Sequence, residues 1–160
     1  MSLPEILRTP RLVLRPWAPS DLGALAGLLD DDRVMAFSAT GPLGPKARAE
    51  WLSENCSATM SKAVTAEGRV FGYVRLNLAG LDHVLGIRLR PSAWGRGFAH
   101  EAAEAVLSAA KPNGRVLAEV DPENHRSIRL LKRLGFVEIG EVMHAGYDHP
   151  DLVFHRQSAS

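Results

Sequence analysis

The chain has 160 residues, 46% of them hydrophobic and 23% charged, with a formal net charge of +1; it reads as one globular domain over residues 1–160, without the basic field that recruits nucleic acid or an anionic membrane. Its one cysteine, Cys56, excludes an intrachain disulfide and fits a reducing compartment. The N-terminus has no charged segment leading into an apolar one, and no long apolar run follows, so no secretory signal or membrane span is expected and cytoplasm is the expected compartment.

From Arg11 to Arg15, Leu12 and Leu14 alternate with polar neighbours, which predicts a first strand. Pro16 and Pro19 stop it, and Ser20 is placed to cap a helix carrying Leu22, Leu25, Ala26 and Leu29 on one face. Gly41 to Pro45 (G-P-L-G-P) is a loop, and a second helix is predicted from Lys46 to about Met60, with Ala47, Trp51 and Leu52 as its apolar positions and Cys56 as a small apolar residue on it. Ala63 to Thr65 and Arg69 to Leu78 form a hairpin about Glu67-Gly68. Asp82 and His83 lead into a strand from Val84 to Arg90, ended by Pro91.

Phe98, Ala102, Ala103, Val106 and Ala110 have helical spacing, which predicts a helix over Phe98 to Ala110 broken by Pro112-Asn113-Gly114. Val116 to Val120 is a short apolar strand. Asn124 then caps a helix whose buried stripe is Ile128, Leu131 and Leu134, with Gly135 as its left-handed terminating residue and Phe136 packing back. Strands from Phe136 to about Met143 and from Leu152 to His155 complete the chain. This order predicts an α/β or α+β domain, a mixed sheet flanked by helices.

The stretch that carries chemistry runs from Arg90 to Glu101, R-P-S-A-W-G-R-G-F-A-H-E, between a strand and a helix. It sets Gly95, Gly97 and Ala99 at the helix N-terminus, where the first amides have no intrahelical partner and the dipole is positive. Small residues let a diphosphate approach those amides, so a polyanionic ligand is a sensible occupant. A glycine-containing turn that only lets a helix pack on a strand has the same sequence.

With D-P-E-N-H-R-S-I-R-L-L-K-R-L-G-F from Asp121 to Phe136, and R-L-V-L-R-P-W near the start, W-G-R-G-F-A resembles the GNAT superfamily of N-acetyltransferases. The resemblance spans about Thr9 to Phe154 and is closest to the subgroup acting on ribosomal-protein N-termini. It implies a V-splayed sheet whose parting strands, here Val84 to Arg90 and Val116 to Val120, admit the pantetheine arm of acetyl-CoA. It further implies that the amides of Gly95, Arg96, Gly97, Phe98 and Ala99, after Trp94, bear the diphosphate, with the Arg96 side chain beside it. Backbone groups of Arg88 and Leu89 would hold the pantetheine and polarise the thioester carbonyl. Asn124 matches a pantetheine contact, and Ser127 matches a serine near the thiol sulfur. A homodimer is common among such proteins. Two positions depart from the wider superfamily: Trp94 stands where glutamine or arginine often begins the phosphate motif, and Leu131 stands where many members carry a tyrosine acid. Ser127 is the nearby substitute for that acid.

Acetyl transfer to an amine needs the amine neutral. That costs about 1 kcal/mol at pH 7 for an α-amine of pKa near 8, and about 4.6 kcal/mol for a lysine side chain. No strong base is evident on the splayed strands, which leans towards α-amines. Asp82, His83 and Glu119 lie near them, and His83 is favoured by its ordinary pKa, with a water chain as the alternative. Arg126, Arg129, Lys132 and Arg133 form a basic helix face, read either as solvated or, with Lys132, as the counter-charge to the 3′-phosphate. His144, Asp148, His149, Asp151 and His155 have neither helical-pair nor zinc-knuckle spacing. They read as polar residues of a loop and a following edge strand, so no metal is expected. The loops Thr40 to Pro45 and Gly146 to Pro150 are expected to select the acceptor, with peptide N-termini, polyamines and aminoglycosides all open. A non-catalytic CoA-binding module and a nucleotide-binding regulatory domain are the competing readings.

Overall fold

The structure, a computed structural model, describes residues 3–38 and 40–157. An eight-stranded sheet runs in the order β1-β2-β3-β4-β5-β6-β8-β7. Its strands are β1 Leu7–Arg8, β2 Val13–Arg15, β3 Ser61–Ala66, β4 Arg69–Ala79, β5 Asp82–Leu89, β6 Arg115–Val120, β7 Val137–Val142 and β8 Asp151–Gln157. The helices are α1 Leu22–Leu29, α2 Pro45–Cys56, α3 Phe98–Ala110 and α4 His125–Arg133. Among the described residues, only β5 and β6 pair in parallel, joined by the crossover through α3; the other neighbours are antiparallel. No helix among the described residues is long and apolar enough to cross a membrane.

Alternation along β4 assigns the two faces. Val74 and Leu76 enter a core with Val106, Ala102 and Ala103 of α3 and Leu131 of α4. Tyr73 faces the other way, into a second core with Trp17, Leu25 and Leu28 of α1 and Leu52 of α2. There the Trp51 ring stands edge-on to Trp17 and tilted against Tyr73, with centroids 5.2 Å apart in both pairs. Gly72 allows the close approach of β4 and β5, because a Cβ there would fall 1.9 Å from the Arg88 carbonyl oxygen.

Most predicted elements stand where the hydrophobic pattern puts them, and α3 has the predicted bounds. The turn Glu67-Gly68 has φ of 52° and 76°, the left-handed pair a two-residue hairpin requires. Gly135, at φ 85°, ends α4: its amide donates to the Lys132 carbonyl and the Phe136 amide to that of Leu131. Asn124 is the N-cap, its Oδ1 accepting from the Ser127 amide at 3.3 Å. Asn124→Ala is expected to cost about 1 kcal/mol of stability, measured by denaturant unfolding.

Four expectations are corrected. A short strand, β1, precedes the predicted first one and pairs with it. Ser20 does not cap α1; it lies in a 3-10 turn, and the Asp21 carboxylate accepts from the Ala18 amide at 2.9 Å while pairing with Arg15 at 2.8 Å. The second helix stops at Cys56 rather than Met60, because Ser61 enters the sheet and donates to Asn55 at 2.7 Å. Finally, β8 is not an edge strand: it is inserted between β6 and β7, and β7 is the edge.

Candidate active-site cleft

The ladder between β5 and β6 holds two residue pairs, His83 with Val116 and Val84 with Leu117. Beyond them the strands part, which leaves backbone groups of both facing a gap. That gap opens a cleft of about 690 Å3, bounded by β4, β5 and β6, the start of α3, one face of α4, and Val34 and Phe37.

At one end stands the N-terminus of α3. Gly97 is its N-cap at φ 78°, preceded by Gly95 at φ 74°, and no side chain caps the helix. The first intrahelical bond runs from the Glu101 amide to the Gly97 carbonyl, so the amides before it are left for another acceptor. Gly95, Gly97, Phe98 and Ala99 line the cleft. The turn is pinned from behind: Arg11 donates from Nη1 to the Arg96 carbonyl at 2.6 Å and from Nε to Glu101 at 2.8 Å, and Glu101 also accepts from the Thr9 hydroxyl. Burial would raise the Glu101 carboxyl, but the bonds from Thr9 and Arg11 outweigh it and hold it below its usual value. The Arg96 side chain is not among the cleft-lining groups; it lies 4.3 Å over the Phe98 ring. Trp94 donates from its indole to the Leu89 carbonyl at 2.8 Å, and Arg126 stacks 3.4 Å from its centroid. Trp94 therefore ties the end of β5 to α4, an indole function its position in the motif does not reveal. It also leaves Leu89 with one carbonyl lone pair already engaged.

On α4, Asn124, Ser127 and Leu131 all line the cleft, as do Arg126, Arg129 and Arg133. Lys132 does not, and it is exposed. Helical geometry explains the difference: positions 126, 129, 130 and 133 share one stripe, and 132 falls roughly a third of a turn away. Burial, and then the charge of Arg129, push Arg126 below the ordinary guanidinium value. None of these three arginines has an ion-pair partner among the described residues. An anion at this mouth would relieve both effects.

Of the three groups weighed as bases, only Glu119 reaches the cleft. Alternation on β6 puts Ala118 and Val120 in the α3 core and Glu119 on the opposite face. Its Oε2 lies 2.7 Å from Nε2 of His144, and both side chains are about one-third exposed, at 35% and 38%. His83 is buried at the closed end of the V, one residue before the last paired position Val84, and does not line the cleft. Asp82 pairs with Arg115 at 3.1 Å. The sequence pattern did contain the signal for Glu119, a single acid in an apolar strand.

The insertion of β8 beside β6 gathers residues expected to be scattered over a loop. His149 lies 2.7 Å from the buried Asp121, and Asp151 has a solvent-shielded Oδ1 without a hydrogen-bond partner. Glu119, His144 and Asp151, and likewise Asp121, His149 and Asp151, bring donor atoms within 4.8 Å of one another. Bonds to Asp121 and then Asp148 raise His149, while burial and then the Asp121 charge raise Asp151. His155 is apart, on β8 opposite Leu117. Neither predicted selector loop lines the cleft; Val34 and Phe37, from the segment just before the first, do so instead.

The family model described as "Acetyltransferase (GNAT) domain" matches residues 11–137. A curated relative, "Uncharacterized N-acetyltransferase p20" of Bacillus licheniformis, is 27% identical over 150 residues, covering 85% of this chain and 84% of its own. The solved acetyltransferase (GNAT family) from Bacillus anthracis superposes with a TM-score of 0.85 at 21% identity, over 95% of this chain and 98% of that one. The structure of RimL, the ribosomal L7/L12 alpha-N-protein acetyltransferase, is similar with a TM-score of 0.80 at 17% identity, over 96% and 94%. At those identities the two structures speak for the fold.

Proposed function

This chain belongs to the GNAT acetyltransferase family, and from that we propose that it transfers the acetyl group of acetyl-CoA to a primary amine by direct attack in a ternary complex. The observation that carries the reading is the cleft between β5 and β6, lined by uncapped α3 amides on one face of the sheet and by Glu119 on the other. The cofactor's groups fit what lines it. Gly95 has open space where a Cβ would stand, the α3 amides lack acceptors, and Arg126, Arg129 and Arg133 lack counter-charges.

Acetyl-CoA supplies a thioester carbonyl for the amine to attack and a thiol of ordinary pKa near 8.5 as leaving group. The amides of Gly97, Phe98 and Ala99 hold the diphosphate, and Arg126, Arg129 and Arg133 neutralise the phosphates at the mouth. Unpaired backbone groups of β5, with Asn124, orient the pantetheine in the gap. Glu119 accepts the proton of the incoming ammonium, and His144, hydrogen-bonded behind it, holds that carboxylate in place and faces solvent. Ser127, one helical turn from Leu131 on the same cleft wall, is the hydroxyl placed to donate a hydrogen bond to the departing sulfur, which leaves as thiolate and takes up the second proton that the attacking nitrogen gives up. Direct attack needs no covalent intermediate on the protein, and Cys56, the chain's one thiol, lies on α2 and is not among the cleft-lining residues.

Thermal unfolding with acetyl-CoA, CoA, ATP and NAD tests the cofactor. At 100 times its dissociation constant a ligand stabilises the native state by about 2.7 kcal/mol, a shift of several degrees at this size. A shift with the two CoA species alone is expected. A shift with ATP or NAD alone would overturn the reading, and CoA binding without thiol release against any amine would favour a sensing module.

A further inference from the structure

The wall of the cleft that faces α1 and α2 carries two arginine side chains, those of Arg75 and Arg88, that no part of the acetyl-CoA reading uses; of Arg88 it uses the backbone alone. On β4 and β5, Arg75 stands opposite Gly86 and Tyr73 opposite Arg88, all on the face away from α3. Arg75 and Arg88 are therefore diagonal neighbours, roughly 7–8 Å apart at Cα. Gly86 leaves the space over which Arg75 lies, since a Cβ there would meet its Cγ and Nε at 3.4 Å. The guanidinium also sits 5.1 Å over the Tyr73 ring.

Both side chains are half-buried, and neither has a carboxylate partner among the described residues. The Arg75 Nε is shielded from solvent with no acceptor, and the hydrogen bond described for Arg88 goes from Nη1 to the Met35 thioether at 2.7 Å. A thioether is a weak acceptor that brings no charge. Other half-buried arginines have strong oxygen acceptors: Arg15, Arg48 and Arg156 each hold an aspartate or glutamate within 3.1 Å, and Arg90 donates to the Ala24 carbonyl at 2.7 Å. Two partly desolvated guanidinium groups side by side are costly without an anion, and a carboxylate matches their fork geometry. On β6, across the gap and on the same sheet face, is Glu119.

This face thus offers an anion site and a cation site within one cleft, whose lining also includes Phe37 and Tyr73. Resting on the acetyltransferase reading above, we propose that the acceptor is a small amino-carboxylate of the free α-amino acid class, its carboxylate held by Arg75 and Arg88 and its amine presented to Glu119. A polyamine would bring positive charge against two arginines. A peptide N-terminus has an amide where the carboxylate is needed.

The test is thiol release from acetyl-CoA with the twenty α-amino acids, the carboxamide of each acid that reacts, spermidine, and a neutral tetrapeptide. At least one amino acid is expected to exceed its carboxamide in kcat/KM by 30-fold or more. Arg75→Gln and Arg88→Gln are each expected to reduce that acid-to-amide ratio at least tenfold, chiefly through KM, with the acetyl-CoA thermal shift retained. A purely structural role for the arginines would lower both substrates alike and leave the ratio in place. Equal rates for acid and amide, preference for spermidine or the tetrapeptide, or an intact ratio in both variants overturns the assignment while acetyl transfer stands. Failure to use any amino acid by protein that binds acetyl-CoA overturns it too, whereas absence of acetyl-CoA binding is the separate failure of the reading it rests on.

Discussion

Gly97→Val is expected to weaken acetyl-CoA binding at least a hundredfold while the chain still folds. At φ 78° this residue occupies the left-handed region, in which a β-branched side chain is an outlier costing on the order of 1–2 kcal/mol. The added Cβ would also stand 3.2 Å from Nη2 of Arg11, the residue that anchors the turn through the Arg96 carbonyl and Glu101. Relief of either strain moves the amides at the start of α3, where the diphosphate is proposed to lie. Because the strain is local to a turn at the surface of the α3 core, the melting temperature should drop by only a few degrees. Calorimetric titration with acetyl-CoA, alongside thermal unfolding without ligand, separates the two effects. Unchanged affinity would place the diphosphate elsewhere.

The second large effect concerns proton removal. Glu119→Gln keeps the shape and the hydrogen bond to His144 but removes the charge, and kcat near pH 7 should fall about 100- to 1,000-fold, within the range for loss of a positioned base. The sign of the pH dependence is fixed by the acceptor. An α-amine of pKa near 8 is mostly protonated at pH 7 and mostly neutral at pH 9. The defect should therefore shrink as pH rises, since the variant then meets an amine that needs no base. Steady-state rates of native protein and variant from pH 6 to pH 9.5 give the comparison. A defect that is constant across that range would mean that Glu119 positions the acceptor without taking its proton.

Local physics accounts for much of what the residue pattern foretold. The two-residue turn at Glu67-Gly68, the Asn124 cap, the Gly135 termination and the full extent of α3 each follow from residues a few positions apart. The W-G-R-G-F-A stretch likewise announced an uncapped helix end, because the glycines and the helix that uses them are contiguous. Less legible was which way a single side chain turns, onto a neighbouring ring or onto a given helix face. Arg96 turns onto Phe98, and Lys132 leaves the cleft to Arg126, Arg129 and Arg133.

What the sequence by itself determined was the succession of most elements, the mixed sheet with helices on its faces, the family and the glycine-lined N-terminus of α3. The tertiary structure decided which of the candidate acids and bases lines the cleft and what stands beside it. Pairing between β5 and β6 stops after Val84 and Leu117, and β8 enters between β6 and β7. These two long-range events put Glu119 in the cleft against His144, close His83 into the base of the V, and bring Asp121 and Asp151 together. Sheet order and the point of splay depend on contacts between residues tens of positions apart, whereas the alternation visible in one strand fixes only that it has two faces, not what each will meet.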